Sequence, residues 1–326
     1  MTASHGWPGI GTLGTFVKDV ATGAILGLTN NHVTIDDATY TSTRNLALIS
    51  KNDYSPTNFV YQGTEDGTPM NVPVNIIGLS VRYAPSFTND TNISNKIDAA
   101  LFSVRSTDFS SLTSWQPIGL ESEITSNPPF ASTAELDNLF LTNPEIITSG
   151  RTSGPRGHNV CGELRVENSP VSLNIEIYSQ GVEKIINYSD CVSIIRPDDD
   201  TPTSQQSGCL NPGLKGDSGS AVYANINGTI KLIGLLFAGN CTSLNSCCSF
   251  TGPPNGCSTR FYLCRIDHIA DELGVEWFDP NGQLSFVDEN SIEYITQPGG
   301  SADSTIVCDG KTYWQAGLTD TLNNPC

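Results

Sequence analysis

The apolar positions of this chain fall mostly in short runs, broken every few residues by Gly, Asn, Asp or Pro. Runs of that length, rich in Val, Ile, Leu, Thr and Tyr, predict strands and a mostly-β fold. "GTLGTFVKDVATGAILGLTNNHV" predicts a hairpin. Its two apolar strands flank a turn at Ala21-Thr22-Gly23, and the second strand ends at Asn30-Asn31-His32. Further strands separated by polar loops occupy 40–95, with "SFTNDTNISN" as one loop. "KIDAALFSV" (96–104) predicts a short buried strand opened by Asp98. Residues 105–145 read as loop-rich, with "SNPP" at 126–129, and a boundary between two lobes is placed there.

Beyond that boundary "EIITSGRTSGPRGHNVCGELRVEN" resumes strand–turn–strand, and "GTIKLIGLLFAGN" (228–240) is a strongly apolar strand. Only "RIDHIADELG" has a helical period: Ile266, Ile269, Ala270 and Leu273 share one face, and Gly274 stands where a C-terminal cap belongs. The expected division is a first β lobe at 1–125, a second with its closing helix at 126–275, and an acidic extension at 276–326. The extension holds eight acidic residues and one Lys, and "QLSFVDENSIEYITQ" within it alternates like strands.

Length and composition fit this picture. A chain of 326 residues can bury the cores of two lobes, and 37% hydrophobic content with 30 Gly and 19 Pro is that of a turn-rich globular protein. The net charge of −18, with no Lys/Arg run, argues against a nucleic-acid partner, whose phosphates demand clustered cations. No 18-residue apolar run exists, so no membrane span is expected. "MTASHGWPGIGTLG" has neither a basic start nor an apolar core, so no signal peptide is read there.

Ten cysteines are present, five of them between Cys241 and Cys264. Their irregular spacing, the adjacent Cys247 and Cys248, and a single nearby histidine, His268, favour disulfides over a zinc site. Disulfides imply an oxidising environment, extracellular or on a particle surface. That location and the missing signal peptide are reconciled by a mature form carrying an added Met, or by another route such as membership of a virus particle. Sequons at Asn89, Asn92, Asn187, Asn227 and Asn240 indicate surface loops.

Candidate chemistry begins at "NPGLKGDSGSAVY" (211–223), where Ser218 is boxed in by glycines ahead of a strand. A serine hydroxyl is a weak nucleophile at neutral pH. It needs a base within hydrogen-bond reach and a group that orients the base. Of the four histidines, His32 alone ends an apolar strand; His5 lies near the terminus, His158 in a turn, and His268 on the helix as a surface residue. Asp98, at the mouth of an apolar strand, is expected to be partly buried and hydrogen-bonded. Gly216 frees the backbone so that its N–H and that of Ser218 can face a developing oxyanion.

"TNNHV", "KIDAALFSV" and "GDSGSAVY" resemble the His, Asp and Ser motifs of the chymotrypsin-like (trypsin-fold) serine peptidases, most closely the bacterial-type members. "SGRTSGPRGHNVCG" resembles their Gly-Arg hairpin, "GLLFAG" their substrate-binding strand, and "RFYLCRIDHIADELG" their closing strand and helix; the likeness covers residues 9–275. It implies two six-stranded antiparallel β-barrels with a C-terminal helix and an added tail. It also implies a serine endopeptidase with His32 as base, Asp98 as its orienting acid, Ser218 as nucleophile, and Gly216 and Ser218 N–H groups as the oxyanion hole. No cofactor or metal is called for, and the partner is a peptide or protein substrate, with an assembly partner through the tail as a further possibility.

The likeness implies more. No Ile-Val-Gly-Gly terminus is present, so Asp217 needs another cation, and the hairpin position assigns Arg151 to it. Substrate would run along Phe237, Ala238 and Gly239. Phe237 replaces the serine that supports the catalytic Asp in much of the family, so support for Asp98 must come from elsewhere. Pro212 falls at the base of the specificity pocket, which disfavours a Lys/Arg preference, and Lys215 or Arg260 would favour an acidic side chain. The implied disulfides are Cys209–Cys241, Cys161–Cys191 and Cys308–Cys326. The alternative reading is a protease-fold structural or binding protein of a virus particle or cell surface, with an unused or self-processing site.

Overall fold

The computed structural model describes residues 11–34, 76–84, 94–104, 126–151, 153–157, 163–179, 182–195, 216–239 and 260–279, with shorter pieces at 40–41, 48–50, 59–61, 86–87, 120, 122, 124, 305–308 and 311–315. The opening hairpin forms as its pattern demands, with β1 at Thr15–Asp19 and β2 at Ile25–Thr29. Its turn is closed by Asp19, whose Oδ1 accepts the N–H groups of Ala21 at 2.9 Å and Thr22 at 2.8 Å, the local bond that makes Asp a turn residue. Every residue of β2 is buried, as in a central strand. One helical turn, α1 (Asn31–Thr34), leaves its end. Three more strands, β3 (Phe59–Tyr61), β4 (Ile76–Tyr83) and β5 (Ala100–Ser103), follow on this side.

Two short helices come next, α2 (Thr133–Asp137) and α3 (Leu139–Thr142), in a stretch the hydrophobic pattern assigns to loop. The cause is local: Ser132 and Glu135 form a reciprocal capping box at the start of α2. Seven strands then build the second sheet: β6 (Ile146–Gly150), β7 (Gly154–Arg156), β8 (Arg165–Ser179), β9 (Val182–Ile195), β10 (Ala221–Ile226), β11 (Thr229–Gly239) and β12 (Arg260–Arg265). The expected C-terminal helix, α4 (Ile266–Leu273), buries Ile266, Ile269 and Leu273 and ends at Gly274 in the left-handed conformation. The chain then returns as β13 (Val275–Glu276) to pair with β1.

The first sheet has six strands in the order β13-β1-β2-β5-β4-β3, and the second has seven in the order β7-β6-β10-β11-β12-β9-β8. All neighbours in both are antiparallel. This is the mostly-β, two-sheet architecture expected. The second sheet carries one strand more than six, and the short β7, the return arm of the Gly150–Gly154 hairpin, is one of its seven. A continuous apolar cluster joins Leu26, Leu28 and Leu101 of the first sheet to Val222, Ile233 and Leu263 of the second. Beneath β1, Arg82 and Asp19 form a buried ion pair at 2.7 Å, and Arg82 also donates to the Leu273 carbonyl.

Within the extension, Thr305–Cys308 and Lys311–Gln315 form a hairpin that pairs with Leu48–Ser50. The segment "QLSFVDENSIEYITQ" lies outside the described residues. Among the described residues no helix is long and apolar enough to cross a membrane.

The cysteine expectations fare differently. Cys191 is a free thiol, as is Cys264, and both are fully buried; the implied Cys161–Cys191 bridge is therefore corrected. The reason lies in the sheet. Cys191 sits in the middle of β9, where it pairs with Val171 of β8, and its side chain is wholly buried in the core. Burial, and then Asp190, push its thiol up to about 12. Cys161, Cys209, Cys241 and Cys326, and the Cys308 side chain, lie outside the described residues, as do Pro212, Lys215, His5 and His158.

Candidate active site

The site is assembled where β2 ends. Asn30, the residue after β2, donates its side-chain Nδ2 to the Asp98 carbonyl at 2.6 Å, and Asn31 donates to the Ala84 carbonyl at 2.9 Å. These two amides, both buried, anchor the start of α1 to the segment entering β5 and to the residue that follows β4. His32 and Asp98, 66 residues apart in sequence, meet as a result. The Asp98 carboxylate takes two bonds from one residue: Oδ1 accepts the His32 main-chain N–H at 3.1 Å, and Oδ2 pairs with His32 Nδ1 at 2.5 Å.

That arrangement fixes the imidazole. An ionised carboxylate only accepts, so Nδ1 carries the proton and Nε2 is left to accept one. Burial alone would lower the His32 pKa, but the Asp98 charge and hydrogen bond outweigh it, and the net shift is upward from 6.5. The ring keeps 30% of its surface exposed while Asp98 keeps 6%. Charge on the imidazole is thus offset by a buried carboxylate while part of the ring stays open to solvent.

Asp98 has support that its own stretch of sequence does not reveal. Phe237 is buried and packs its ring on Tyr188 with centroids 4.8 Å apart. The contacts come instead from Asn30, on the Asp98 carbonyl, and from Cys264, whose Sγ accepts the Asp98 N–H at 3.1 Å. Cys264 is held as a neutral thiol, its pKa raised well above the usual value by burial and then by Cys191 and Asp98. Neither partner has a local signal, because each is brought in by strand pairing across a long stretch of chain.

Ser218 arrives from the second sheet on the turn into β10. Gly216 has φ 102° and Gly219 φ 90°, conformations only glycine adopts freely. A side chain at Gly219 would also collide, since its Cβ would lie 2.2 Å from Thr29 Oγ1 and 2.4 Å from the Thr12 carbonyl. The loop therefore lies directly against the end of β2, from which His32 departs. Between the described residues no hydrogen bond joins Ser218 Oγ to the His32 ring, although the elements that carry them touch.

The loop's carbonyls, from Gly216 to Ser218, are all bonded within the protein. The Asp217 carbonyl accepts from Ser220 N–H at 2.9 Å and Ser220 Oγ at 2.5 Å, which points the opposite end of that peptide unit, the Ser218 N–H, the other way. Gly219 N–H is consumed by the Leu236 carbonyl at 2.8 Å. The N–H groups of Gly216 and Ser218 donate to nothing among the described residues and are the two available to an anionic oxygen.

Asp217 is buried, and the Gly150–Gly154 hairpin reaches it through the main chain. Ser153 N–H donates to Asp217 Oδ1 at 2.9 Å, and a Cβ on Gly150 would fall 2.2 Å from the same oxygen. Arg151 is exposed, and its main-chain N–H goes to Thr12 Oγ1 at 3.0 Å. The hairpin thus brings this carboxylate an amide, a contact beyond the guanidinium that the likeness implies.

Other expected positions are placed as follows. Ala238 is half-buried and Gly239 exposed at the end of β11, where pairing with β12 slips between Leu236 and Ala238. Arg260 is paired with Glu167, which also accepts from Ser193 Oγ at 2.7 Å. His268 is a partly buried, paired residue rather than a solvated one: its Nε2 lies 2.5 Å from Asp190 Oδ2, and the fully buried Arg265 beside it binds Asp190, Asp267 and Asp137.

No protein-family model matches the sequence, and no curated protein matches it. Solved structures do. One is a glutamic acid-specific serine protease described as using a histidine triad in substrate binding, at 13% identity over 82% of this chain and 93% of that one, with a TM-score of 0.43. Cellulomonas bogoriensis chymotrypsin matches at 11% identity over 85% and 96%, TM-score 0.38. Thermobifida fusca protease A matches at 10% identity over 84% and 94%, TM-score 0.36. These neighbours are proteases; at such identity and TM-score they carry no argument about this site, whose reading rests on its own geometry.

Proposed function

We propose that this chain is a serine endopeptidase that works through His32, Asp98 and Ser218. The observation that carries the reading is the His32–Asp98 pair, with Nδ1 held on a buried carboxylate at 2.5 Å beside a glycine-flanked serine loop. Ser218 Oγ attacks the substrate carbonyl carbon while its proton passes to His32 Nε2. The Asp98 carboxylate stabilises the imidazolium so formed, and the carbonyl oxygen, now anionic, is met by the Gly216 and Ser218 N–H groups. The proton then moves from His32 to the departing amine as the C–N bond breaks, leaving an acyl group on Ser218. Water repeats the sequence in reverse and frees the acid. The missing Ser218–His32 bond closes when substrate fills the crevice, a tightening common between free and bound catalytic sites.

In this reading the peptide main chain runs along Phe237, Ala238 and Gly239, where the strand passes from a buried to a half-buried and then an exposed residue beyond the slip in its pairing. Arg260 is already neutralised by Glu167, so it is not assigned to an acidic substrate side chain.

A fluorophosphonate probe tests the proposal. Covalent labelling of the folded wild type at Ser218, abolished in Ser218→Ala, is the expected result. Folded wild type that neither labels nor cleaves a broad peptide library would sink it and favour a protease-fold binding protein, the reading that the open Ser218–His32 gap would then support.

A further inference from the structure

Every polar group of one residue outside the triad, Thr12, is engaged. Its N–H donates to the Ser218 carbonyl at 2.8 Å, and its Oγ1 donates to the Gly216 carbonyl at 3.0 Å. The same Oγ1 accepts the Arg151 N–H at 3.0 Å, and its own carbonyl accepts from Thr29 Oγ1 at 2.7 Å. One side chain and its backbone thus tie the serine loop to the Gly150–Gly154 hairpin and to β2, which leads into His32.

The position of these bonds gives them a consequence. Of the three consecutive carbonyls in Gly216–Ser218, Thr12 holds the first and third, and Ser220 holds the second. A peptide unit whose oxygen is fixed has its plane fixed, so its N–H direction is fixed too. Gly216, at φ 102°, has no side chain to restrict its own torsions. Thr12 Oγ1 thus fixes the unit bearing the Asp217 N–H, Ser220 fixes the unit bearing the Ser218 N–H, and the Gly216 torsions alone join the first of these to the unit bearing the Gly216 N–H.

We propose that Thr12 is a positioning residue of the oxyanion loop: its hydroxyl, donating to the Gly216 carbonyl and accepting the Arg151 N–H, fixes the peptide unit between Gly216 and Asp217, which lies between the units bearing the Gly216 and Ser218 N–H groups and so sets how those two N–H groups face a substrate's anionic oxygen. The inference rests on the peptidase reading above and deepens it. A hydroxyl is required because the group both donates and accepts. Valine has the same shape and does neither, and it strands the Gly216 carbonyl and the Arg151 N–H. Misplacement on the scale of 1 Å at a reacting centre lowers rates by up to about 10²-fold, so a loss of about 10- to 100-fold is expected.

The test compares wild type, Thr12→Val and Thr12→Ser with the fluorophosphonate, resolving the first-order inactivation constant from the saturation constant and recording the thermal midpoint of each protein. Thr12→Val is expected to lose about 10- to 100-fold in the first-order constant while keeping its saturation constant, and Thr12→Ser to restore most of the rate. A Thr12→Val protein that reacts as fast as wild type overturns the proposal, as does a Thr12→Ser protein that loses as much as Thr12→Val. Equal losses in both constants, tracking a lowered thermal midpoint, overturn it too, since a purely structural residue behaves that way. A wild type that is not labelled at all refutes the peptidase reading itself, which separates the two failures.

Discussion

Replacing Asp98 by Asn changes one oxygen of the site to an amide nitrogen with almost no change of shape. The oxygen that remains in the Asp98→Asn side chain still accepts the His32 main-chain N–H, the bond that measures 3.1 Å in the wild type, so α1 stays in place. The opposite bond fails: an amide NH₂ cannot accept from Nδ1–H. It donates to Nδ1 instead, which drives the imidazole proton to Nε2, the atom that must take the proton of Ser218. In a triad the wrong tautomer lowers the rate by about 10⁴-fold, about 5.4 kcal/mol at the transition state. The pH profile adds an independent reading. Burial lowers the His32 pKa and Asp98 raises it beyond 6.5, so the acid limb of wild-type inactivation by the fluorophosphonate is expected above pH 6.5. Without the carboxylate only burial remains, and the limb moves below 6.5. Stability follows the same sign. A histidine whose folded pKa is raised stabilises the fold fully below its unfolded pKa, and that contribution fades as pH rises through the folded value. The stability gap between wild type and Asp98→Asn that comes from this pair therefore widens in mild acid and shrinks in base. Asp98→Asn protein reacting within about 10-fold of wild type at neutral pH, or an unmoved acid limb, would refute the reasoning.

Gly219→Ala places a methyl 2.2 Å from Thr29 Oγ1 and 2.4 Å from the Thr12 carbonyl at φ 90°; a loss of about 1–3 kcal/mol in urea unfolding is expected from the backbone conformation alone, together with loss of labelling at Ser218. Asp19→Ala leaves Arg82 charged and buried without the carboxylate 2.7 Å away, and denaturant titration should show a loss of about 3–5 kcal/mol; a change under about 1 kcal/mol would contradict the buried pairing. Cys191 and Cys264, buried and with raised pKa values, should be alkylated only after denaturation, as read by peptide mass spectrometry.

The parts of the fold visible in the sequence are those decided by local pattern. The β1–β2 hairpin, the apolar run of β11 and the helical-period face of α4 needed only neighbours a few residues away to declare themselves. The glycine at 216 announced a turn that other residues make only under strain. Where the structure departs from the local pattern, the deciding partner is remote or carries no sequence signature. Asn30 and Cys264 hold Asp98 from 68 and 166 residues away, and the composition around each gives no hint of it. His268 reads as exposed when its helix face is judged from apolar neighbours alone; its partner Asp190, at φ 59°, lies on another element. The helix α2 is a different kind of miss, because the Ser132-Thr-Ala-Glu135 box is in plain view and the surrounding Pro and Asn residues outweighed it. The hairpin near Arg151 is legible as a hairpin, but charge draws attention to the arginine side chain, and the amide of Ser153 two residues on, which bonds Asp217, has no signature in the sequence.

Convergence of residues from separate sheets demands that the sheets be fixed to one another, and the structure does this with hydrogen bonds away from the crevice. Asn95 N–H donates to the Asn187 carbonyl at 2.8 Å and Ser189 N–H to the Asn95 carbonyl at 2.9 Å, so the segment three residues before Asp98 is stitched to β9 of the other sheet. On the far side Val20 N–H donates to the Gly274 carbonyl at 3.0 Å, Arg82 caps the end of α4, and Asn127 bridges to the Phe278 carbonyl at 2.6 Å while its own carbonyl accepts from Trp277 Nε1 at 3.0 Å. The helix that closes the second sheet is in this way anchored by the first. Sliding one sheet against the other by a fraction of an ångström would strain several of these bonds together, whereas the His32–Asp98 pair lies wholly on the first sheet and the Ser218 turn wholly on the second. Within the site itself the two halves meet at the Asp98 N–H bond to Cys264 and at Thr12, which bonds both Thr29 of the first sheet and the serine loop of the second. The placement of the Ser218 loop relative to the His32–Asp98 pair therefore depends on this small set of crossings, and the residues that make them are the ones least distinguished by their own chemistry.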